Sequence, residues 1–378
     1  MEKINLIATT TFGLEAVVKR ELIKLGFDDI KAFDGKVEFT GDKSAIVKSN
    51  MWLRCAGRVW IKIGEFKATT FNDLFEQTKA LDWAQWIPID GKFTVIGKSV
   101  KSTLFSVSDC QAIVKKAVVN KLSEKYNVDW FDETGADYKI QVSLLKDIVT
   151  LAIDTSGESL HKRGYRADAM TAPLKESLAS AMVQLSYWRK ERILLDPFCG
   201  SGTIPIEAAL LAKNIAPGLN RKFASEEWEI INSSIWKKER VEAYKSINYD
   251  IELEIYGTDI DNNAIEIAKE NSIKAGVDDC IKFEVKPLNE TKLNKNYGVL
   301  ITNPPYGERL GELKEVENLY KTLGNIMNEN KTWSTYVITS MEYFEKLFGR
   351  KADAKRKLFN GRIKTDYYQF YGPRPPKN

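Results

Sequence analysis

The chain has 378 residues, of which 43% are hydrophobic and 29% charged, with 56 Lys and Arg, 52 Asp and Glu and a single histidine. That profile excludes wholesale disorder, and no apolar run approaches the roughly 18 residues needed to span a bilayer. Four scattered cysteines without a CxxC pair suggest neither a disulfide framework nor a metal site, and the lone His161 leaves little scope for imidazole chemistry.

At roughly 150 residues per domain, the length predicts two or three domains. Leu6 to Thr10 reads as a strand, and Leu14 to Leu25 as a helix stopped by Gly26. Lys36 to Thr40 alternates as a strand, Asp42 caps a second helix, and Arg58 to Phe66 alternates with Val59, Ile61 and Ile63 on one face. Residues 1–66 are therefore expected to form a small α+β domain. A second one, 67–157, is read from a helix over Asn72 to Thr78, a strand over Phe93 to Ser99 and a long helix from Ser108 through Lys125. Its last two strands, Tyr138 to Leu144 and Ile148 to Ile153, turn at Lys146-Asp147. Residues 158–172 form a basic linker.

From 173 to 378 the pattern changes. Helix 173–190, strand Ile193 to Asp196, helices 203–213 and 225–247, strand Leu253 to Thr258 and helix 262–275 come first. Strand Ile281 to Val285, strand Val299 to Thr302, helix 315–329, strand Ser334 to Thr339 and helix 341–348 follow. Alternation of this kind predicts an α/β, doubly wound parallel sheet with its ligand site at the carboxyl ends of the strands. The end breaks the rhythm, because Lys357 to Phe359 and Ile363 to Tyr371 flank Asn360-Gly361, an antiparallel hairpin signal.

Three motifs sit where strands end. Asp196-Pro197-Phe198-Cys199-Gly200-Ser201-Gly202-Thr203 links a strand to a helix through glycines that permit a tight turn and close approach of a ligand. Pro205 occupies the third glycine position of G-x-G-x-x-G, and no Gly-Lys-Ser/Thr follows, which argues against a pyrophosphate ligand. In Tyr256-Gly257-Thr258-Asp259-Ile260-Asp261, Asp259 is placed to take both ribose hydroxyls, while Asp261 also suits a helix cap. In Thr302-Asn303-Pro304-Pro305-Tyr306-Gly307-Glu308-Arg309 the prolines stiffen the turn, so the Asn303 side chain and the Pro304 carbonyl become a fixed acceptor pair for an exocyclic amine. Tyr306 offers a face for base stacking.

Together with His161-Lys162-Arg163-Gly164-Tyr165-Arg166 and Ala172-Pro173-Leu174-Lys175-Glu176, these motifs resemble those of the THUMP-domain RNA guanine-N2 methyltransferases, over the whole chain. The resemblance is greatest to the N-terminal half of the large bacterial 23S rRNA methylase. It implies a ferredoxin-like domain, a THUMP RNA-binding domain and a class I, Rossmann-like methyltransferase domain closed by an antiparallel hairpin. It also implies S-adenosylmethionine as cofactor, no metal, no membrane and a cytoplasmic location, with RNA as partner and rRNA favoured over tRNA. Carried over, the cofactor residues are Asp196, Phe198, Cys199, Gly200, Ser201, Gly202, Thr203, Asp259, Ile260 and Asp261, and the catalytic ones are Asn303, Pro304, Pro305 and Tyr306. One departure is at the adenine end, where relatives place an Asp and this chain has Glu284, Lys286 and Pro287. An adenine-N6 enzyme would use the same turn on a different amine, and a non-enzymatic RNA-binding factor would not require all three motifs.

For RNA, Lys162, Arg163, Tyr165 and Arg166 combine charge with an aromatic face, and Arg374 lies in a tail, 350–378, with nine basic residues against two acidic ones. His161 is expected to orient neighbours rather than to act as a base.

Overall fold

The computed structural model describes residues 3–166, 174–307 and 313–376. Ala172, Pro173, Glu308 and Arg309 lie outside these, as does the start of the helix expected from 173. The chain divides into two compact units. One comprises Met1–Thr10, Lys19–Leu160 and Lys222–Val241, and the other Thr11–Val18, His161–Arg221 and Glu242–Asn378.

The elements of the first half are β1 (Ile4–Thr9), α1 (Glu15–Lys24), β2 (Asp28–Phe33), β3 (Lys36–Gly41), α2 (Lys43–Trp52) and β4 (Arg58–Lys67). They continue with α3 (Phe71–Lys79), β5 (Lys92–Val100), α4 (Val107–Tyr126), β6 (Asp137–Leu145) and β7 (Ile148–Asp154). Strand β2 was not anticipated. It is an edge strand with no buried residue, so it carries no apolar alternation to read. Asp42 caps α2 as expected, its carboxylate accepting from the amides of Ser44 and Ala45.

These strands form one seven-stranded sheet in the order β2-β3-β1-β4-β7-β6-β5, rather than two separate α+β layers. Strand β4 joins the halves, pairing with β1 on one edge and β7 on the other. Only β5 and β6 run parallel. Leu6, Ile61, Ile153 and Ile140 lie in register across four strands and are wholly or almost wholly buried on the face that α2, α3 and α4 cover. The β6–β7 turn at Lys146 and Asp147 has φ values of 52° and 63°, the doubly left-handed turn that matches the twist of a hairpin.

The second half contains α5 (Glu176–Leu185), β8 (Leu194–Asp196), α6 (Thr203–Ala212), α7 (Ser233–Lys245), β9 (Ile255–Asp259), α8 (Asn262–Ala275) and β10 (Ile281–Val285). It ends with β11 (Val299–Thr302), α9 (Leu313–Glu329), β12 (Ser334–Thr339), α10 (Phe344–Phe348), β13 (Ala354–Asn360) and β14 (Ile363–Phe370). Where one helix over 225–247 was expected, a 3₁₀ turn at Ala224–Glu227 precedes the shorter α7. Most of this stretch belongs to the first unit, where Trp228 stacks on Tyr138 at 4.6 Å between ring centroids. Its Nε1 donates to the Asp137 carbonyl at 3.2 Å.

The second sheet has the order β10-β9-β8-β11-β12-β14-β13, parallel from β10 to β12 and antiparallel at β14 and β13. Strands β8, β11 and β12 are buried at every position, as two-sided burial of a parallel sheet requires. Leu300, Tyr320, Leu323, Val337, Phe344 and Tyr368 centre its core. The closing hairpin turns one residue later than expected. Asn360 pairs with Ile363, so Gly361 (φ 64°) and Arg362 form the loop.

Candidate active site

The reversal of strand order in the second sheet falls between β8 and β11, and the three motifs gather at the carboxyl ends of β8, β9 and β11. After β8 the chain turns through Gly200 and Gly202, both left-handed at φ 51° and 79°, and Gly202 serves as the N-terminal cap of α6. A Cβ on Gly202 would stand 2.9 Å from the Phe283 ring and 3.0 Å from Ala268, so only glycine fits without displacing its neighbours. A Cβ on Gly200 would meet nothing within 4 Å. The backbone there faces open space, which fits close approach by a ligand.

Asp259 ends β9 beside this turn. Its Oδ2 accepts from the Gly200 amide at 2.9 Å and its Oδ1 from the Asp261 amide at 3.0 Å. Each oxygen keeps a second lone pair, so the carboxylate is oriented and still able to accept. Asp261 caps α8 by accepting from the Asn263 amide, and Ile260 is 74% exposed between the two acids. The donor set, an oriented carboxylate beside an open glycine backbone, fits a nucleoside ligand.

Asp196 is wholly interior. Its Oδ1 accepts from the Thr302 hydroxyl at 2.6 Å and the Phe198 amide at 3.2 Å, tying the glycine turn to the residue before Asn303. Burial pushes its carboxyl up to about 7 against these two hydrogen bonds, and nearby Asp259 adds to the rise. Cys199 and Thr203 are buried too, and burial, with Asp196 and Asp259 nearby, pushes the Cys199 thiol well up. Ser201 is likewise buried, and its carbonyl accepts from the Asn271 amide nitrogen at 3.0 Å.

The turn after β11 is braced from three sides. The Tyr306 hydroxyl donates to Asn303 Oδ1 at 2.6 Å, and Asn360 Nδ2 donates to that hydroxyl at 3.4 Å. Tyr320 on α9 donates to the Pro305 carbonyl at 2.8 Å. Tyr306 therefore orients the Asn303 amide, a role the motif alone did not disclose. Thr302, Tyr320 and Asn360 were also missed as site residues. Asn360 carried a signal that was read only as turn chemistry.

The basic stretch departs from expectation. Arg163 and Tyr165 are each 4% exposed, and both direct their polar atoms at Glu207 Oε1 on the buried helix α6, at 3.4 and 3.3 Å. Burial opposes the Arg163 charge, but Glu207 and Glu176 outweigh it and hold its proton more firmly than usual. Arg166 is half-buried, donating to the Leu174 carbonyl and the Thr203 hydroxyl and facing Glu176 at 3.2 Å. A carboxylate on an interior helix demands compensation, so Arg163 and Tyr165 are interior ligands of Glu207 and not an RNA surface. Lys162 and Arg374 are exposed. Burial and four nearby cations push His161 down to about 4, leaving it neutral at pH 7. Among the described residues no group of acidic, His or Cys side chains could hold a metal, and no helix is long and apolar enough to cross a membrane.

Fold and site together define a Rossmann-like methyltransferase. A model of the RMKL-like methyltransferase domain matches residues 163–369, one of the RlmL ferredoxin-like domain matches 5–60, and one of the THUMP domain matches 68–154. The chain belongs to this RMKL-like methyltransferase family. It is 54% identical over 380 residues to YpsC of Bacillus subtilis (strain 168), provisionally named an RNA methyltransferase, covering 100% of this chain and 98% of that one. A crystal structure from Listeria monocytogenes, described as a "predicted N6-adenine-specific DNA methylase", is 53% identical with a TM-score of 0.94, covering 99% and 97%. The provisionally named methyltransferase SMU.472, complexed with SAH, is 46% identical with a TM-score of 0.94, covering both chains fully. The cofactor is S-adenosylmethionine, whose demethylated product is the SAH of that complex.

Proposed function

We propose that the protein methylates the exocyclic N2 amine of a guanine in structured RNA, with 23S rRNA as the first substrate to test. The observation that carries this reading is the braced Asn303-Pro304-Pro305-Tyr306 turn at the end of β11, with the Asn303 amide held by Tyr306 at 2.6 Å. Bound S-adenosylmethionine supplies an electrophilic methyl group. Asp259 would receive its ribose hydroxyls, and Gly200, Ser201 and Gly202 would lie along its backbone-facing side, with Phe198, Ile260 and Asp261 flanking it. The buried Asp196, Cys199 and Thr203 hold that turn in shape.

An exocyclic amine is a poor nucleophile while its lone pair is conjugated with the ring. Asn303 Oδ1 and the Pro304 carbonyl accept its two N–H groups and favour a pyramidal nitrogen, while the Tyr306 ring stacks on the base, worth roughly 1–3 kcal/mol. Pro305 and Tyr320 hold the turn so that catalysis is chiefly positioning. No imidazole is required, because the amine loses its proton after positive charge has developed on nitrogen. The THUMP domain and the provisional name of the Bacillus relative support RNA, while the Listeria relative's name supports a second reading, adenine N6. Lys162 and Arg374 remain as RNA contacts.

The test is incubation of the protein and S-adenosylmethionine with unmodified rRNA, tRNA and DNA, followed by nucleoside mass spectrometry. N2-methylguanosine in rRNA is the expected product. The same product in tRNA alone would move the substrate, and N6-methyladenine in any pool would establish the second reading.

A further inference from the structure

Asn360 reaches the turn after β11 from the closing hairpin, and its backbone does not explain why an asparagine stands there. It pairs with Ile363 as the last rung of β13 and β14, and the loop is Gly361 and Arg362. In a two-residue Asn-Gly loop the asparagine is left-handed. Asn360 instead keeps a negative φ inside a strand, where asparagine is disfavoured, and the left-handed residue is Gly361. The rung is firmly placed. Leu358 is fully buried, the Phe359 ring meets Phe12 edge-on at 6.1 Å between centroids, and Arg356 donates to the Gly13 carbonyl at 3.1 Å.

The hydrogen bonds fix which way round the Asn360 amide lies. A phenol has one proton to give. Tyr306 gives it to Asn303 Oδ1 at 2.6 Å, so toward Asn360 it can only accept, and the group facing it at 3.4 Å is Nδ2. The other arm of the amide, Oδ1, is thereby turned away from the phenol. Asn360 is half-buried, and its Oδ1 has no hydrogen-bond partner among the described residues and keeps contact with solvent. The result is an oriented acceptor with open lone pairs, two hydrogen bonds away from Asn303 Oδ1.

We propose that Asn360 Oδ1 is the group that tells guanine from adenine, accepting the guanine N1–H while Asn303 and Pro304 hold the neighbouring N2 amine. The turn after β11 by itself serves either base, since each presents an exocyclic amine with two hydrogens. The bases differ at the ring position next to that amine. Guanine N1 carries a hydrogen, whereas adenine N1 carries a lone pair. An acceptor held at that position gains a hydrogen bond from guanine and confronts a lone pair in adenine, so one side chain makes the site selective. The assignment rests on the guanine reading above and deepens it. Asn360 then has two roles, positioning Tyr306 through Nδ2 and reading the base edge through Oδ1.

The test uses the full chain and the RNA methylated in the assay above, rebuilt by ligation with 2-aminopurine in place of the target guanine. That base keeps the 2-amine and has no hydrogen on N1. Wild type is expected to prefer guanine at least about tenfold in kcat/KM, and Asn360→Ala to shrink the preference to within about threefold. Asn360→Asp keeps an acceptor, so it is expected to retain the preference while turnover falls, because its carboxylate competes with Asn303 for the Tyr306 proton. Affinity for S-adenosylhomocysteine is the folding control. An Asn360→Ala variant that loses activity by the same factor on both bases would overturn the inference and leave Asn360 a brace. A wild type that methylates the two bases equally would also overturn it. In either case N2-methylguanosine still forms and the function stands. N6-methyladenine as the sole product would remove the function itself, and this role of Asn360 with it.

Discussion

The two seven-stranded sheets of this protein solve opposite problems. In the second, both faces are covered, so β8, β11 and β12 are buried at every position and chemistry can occur only where strands end. In the first, helices cover one face, so strands such as β6 alternate, and the other face is buried around Ile7, Trp60 and Ala152 but exposed at positions such as Ile96 and Lys98. Burial on two sides confines function to turns of a few residues, which leaves compact motifs in the sequence. Burial on one side leaves the polar positions of the other face spread over several strands, where no compact motif marks them.

If that contrast holds, the largest effects come from single changes at the strand ends. Asn303→Ala is expected to lower turnover by at least about a hundredfold, a loss typical of removing one positioned hydrogen-bonding group. Affinity for S-adenosylhomocysteine should stay within twofold, and substantial activity in single-turnover assays would refute the acceptor role. Glu207→Leu leaves Arg163 buried without its Glu207 partner and should cost about 3–5 kcal/mol in urea unfolding. The Arg163→Leu, Glu207→Leu double variant should recover much of that loss, and failure to do so would mean that the pair is not coupled.

Gly202→Ala forces a side chain into left-handed backbone against Phe283, which should cost about 1–3 kcal/mol and weaken cofactor binding measured by calorimetry. Asp196 adds a pH dependence. Its folded carboxyl sits near 7, above the ordinary 3.8, so the native state binds the extra proton and stability falls as pH rises from about 4 to about 7. Asp196→Asn should flatten that part of a Tm-against-pH curve, and an unchanged slope would assign it to other groups. The smallest effect belongs to the open face. Gln141→Ala should change stability by no more than about 0.5 kcal/mol, since nothing packs over it as a core. A larger loss there would break the comparison between the two sheets.

Much of the second sheet was legible in the sequence. Helix 262–275 and strands 281–285, 299–302 and 334–339 stand where their patterns placed them, because buried parallel strands and a capped amphipathic helix are local signals. The three strand-end motifs were legible for the same reason. Strand β2 was not, because it buries nothing, nor was the joining of the two amino-terminal α+β layers, because pairing of β4 with β7 is a contact between distant segments.

What the sequence by itself determined is therefore the set of elements and the residues at their ends: apolar periodicity, glycine at left-handed turns, Asp caps and a proline-stiffened turn. Only the tertiary structure decided where the charges went. Arg163 and Lys162 are neighbours of the same sign, yet one is interior and the other exposed, because a single carboxylate 44 residues away on α6 required a partner. It likewise decided that Tyr306 and Asn360 brace Asn303. Hydrogen bonds and ion pairs act over a few ångströms whatever the separation along the chain, so only the folded chain shows which polar groups meet.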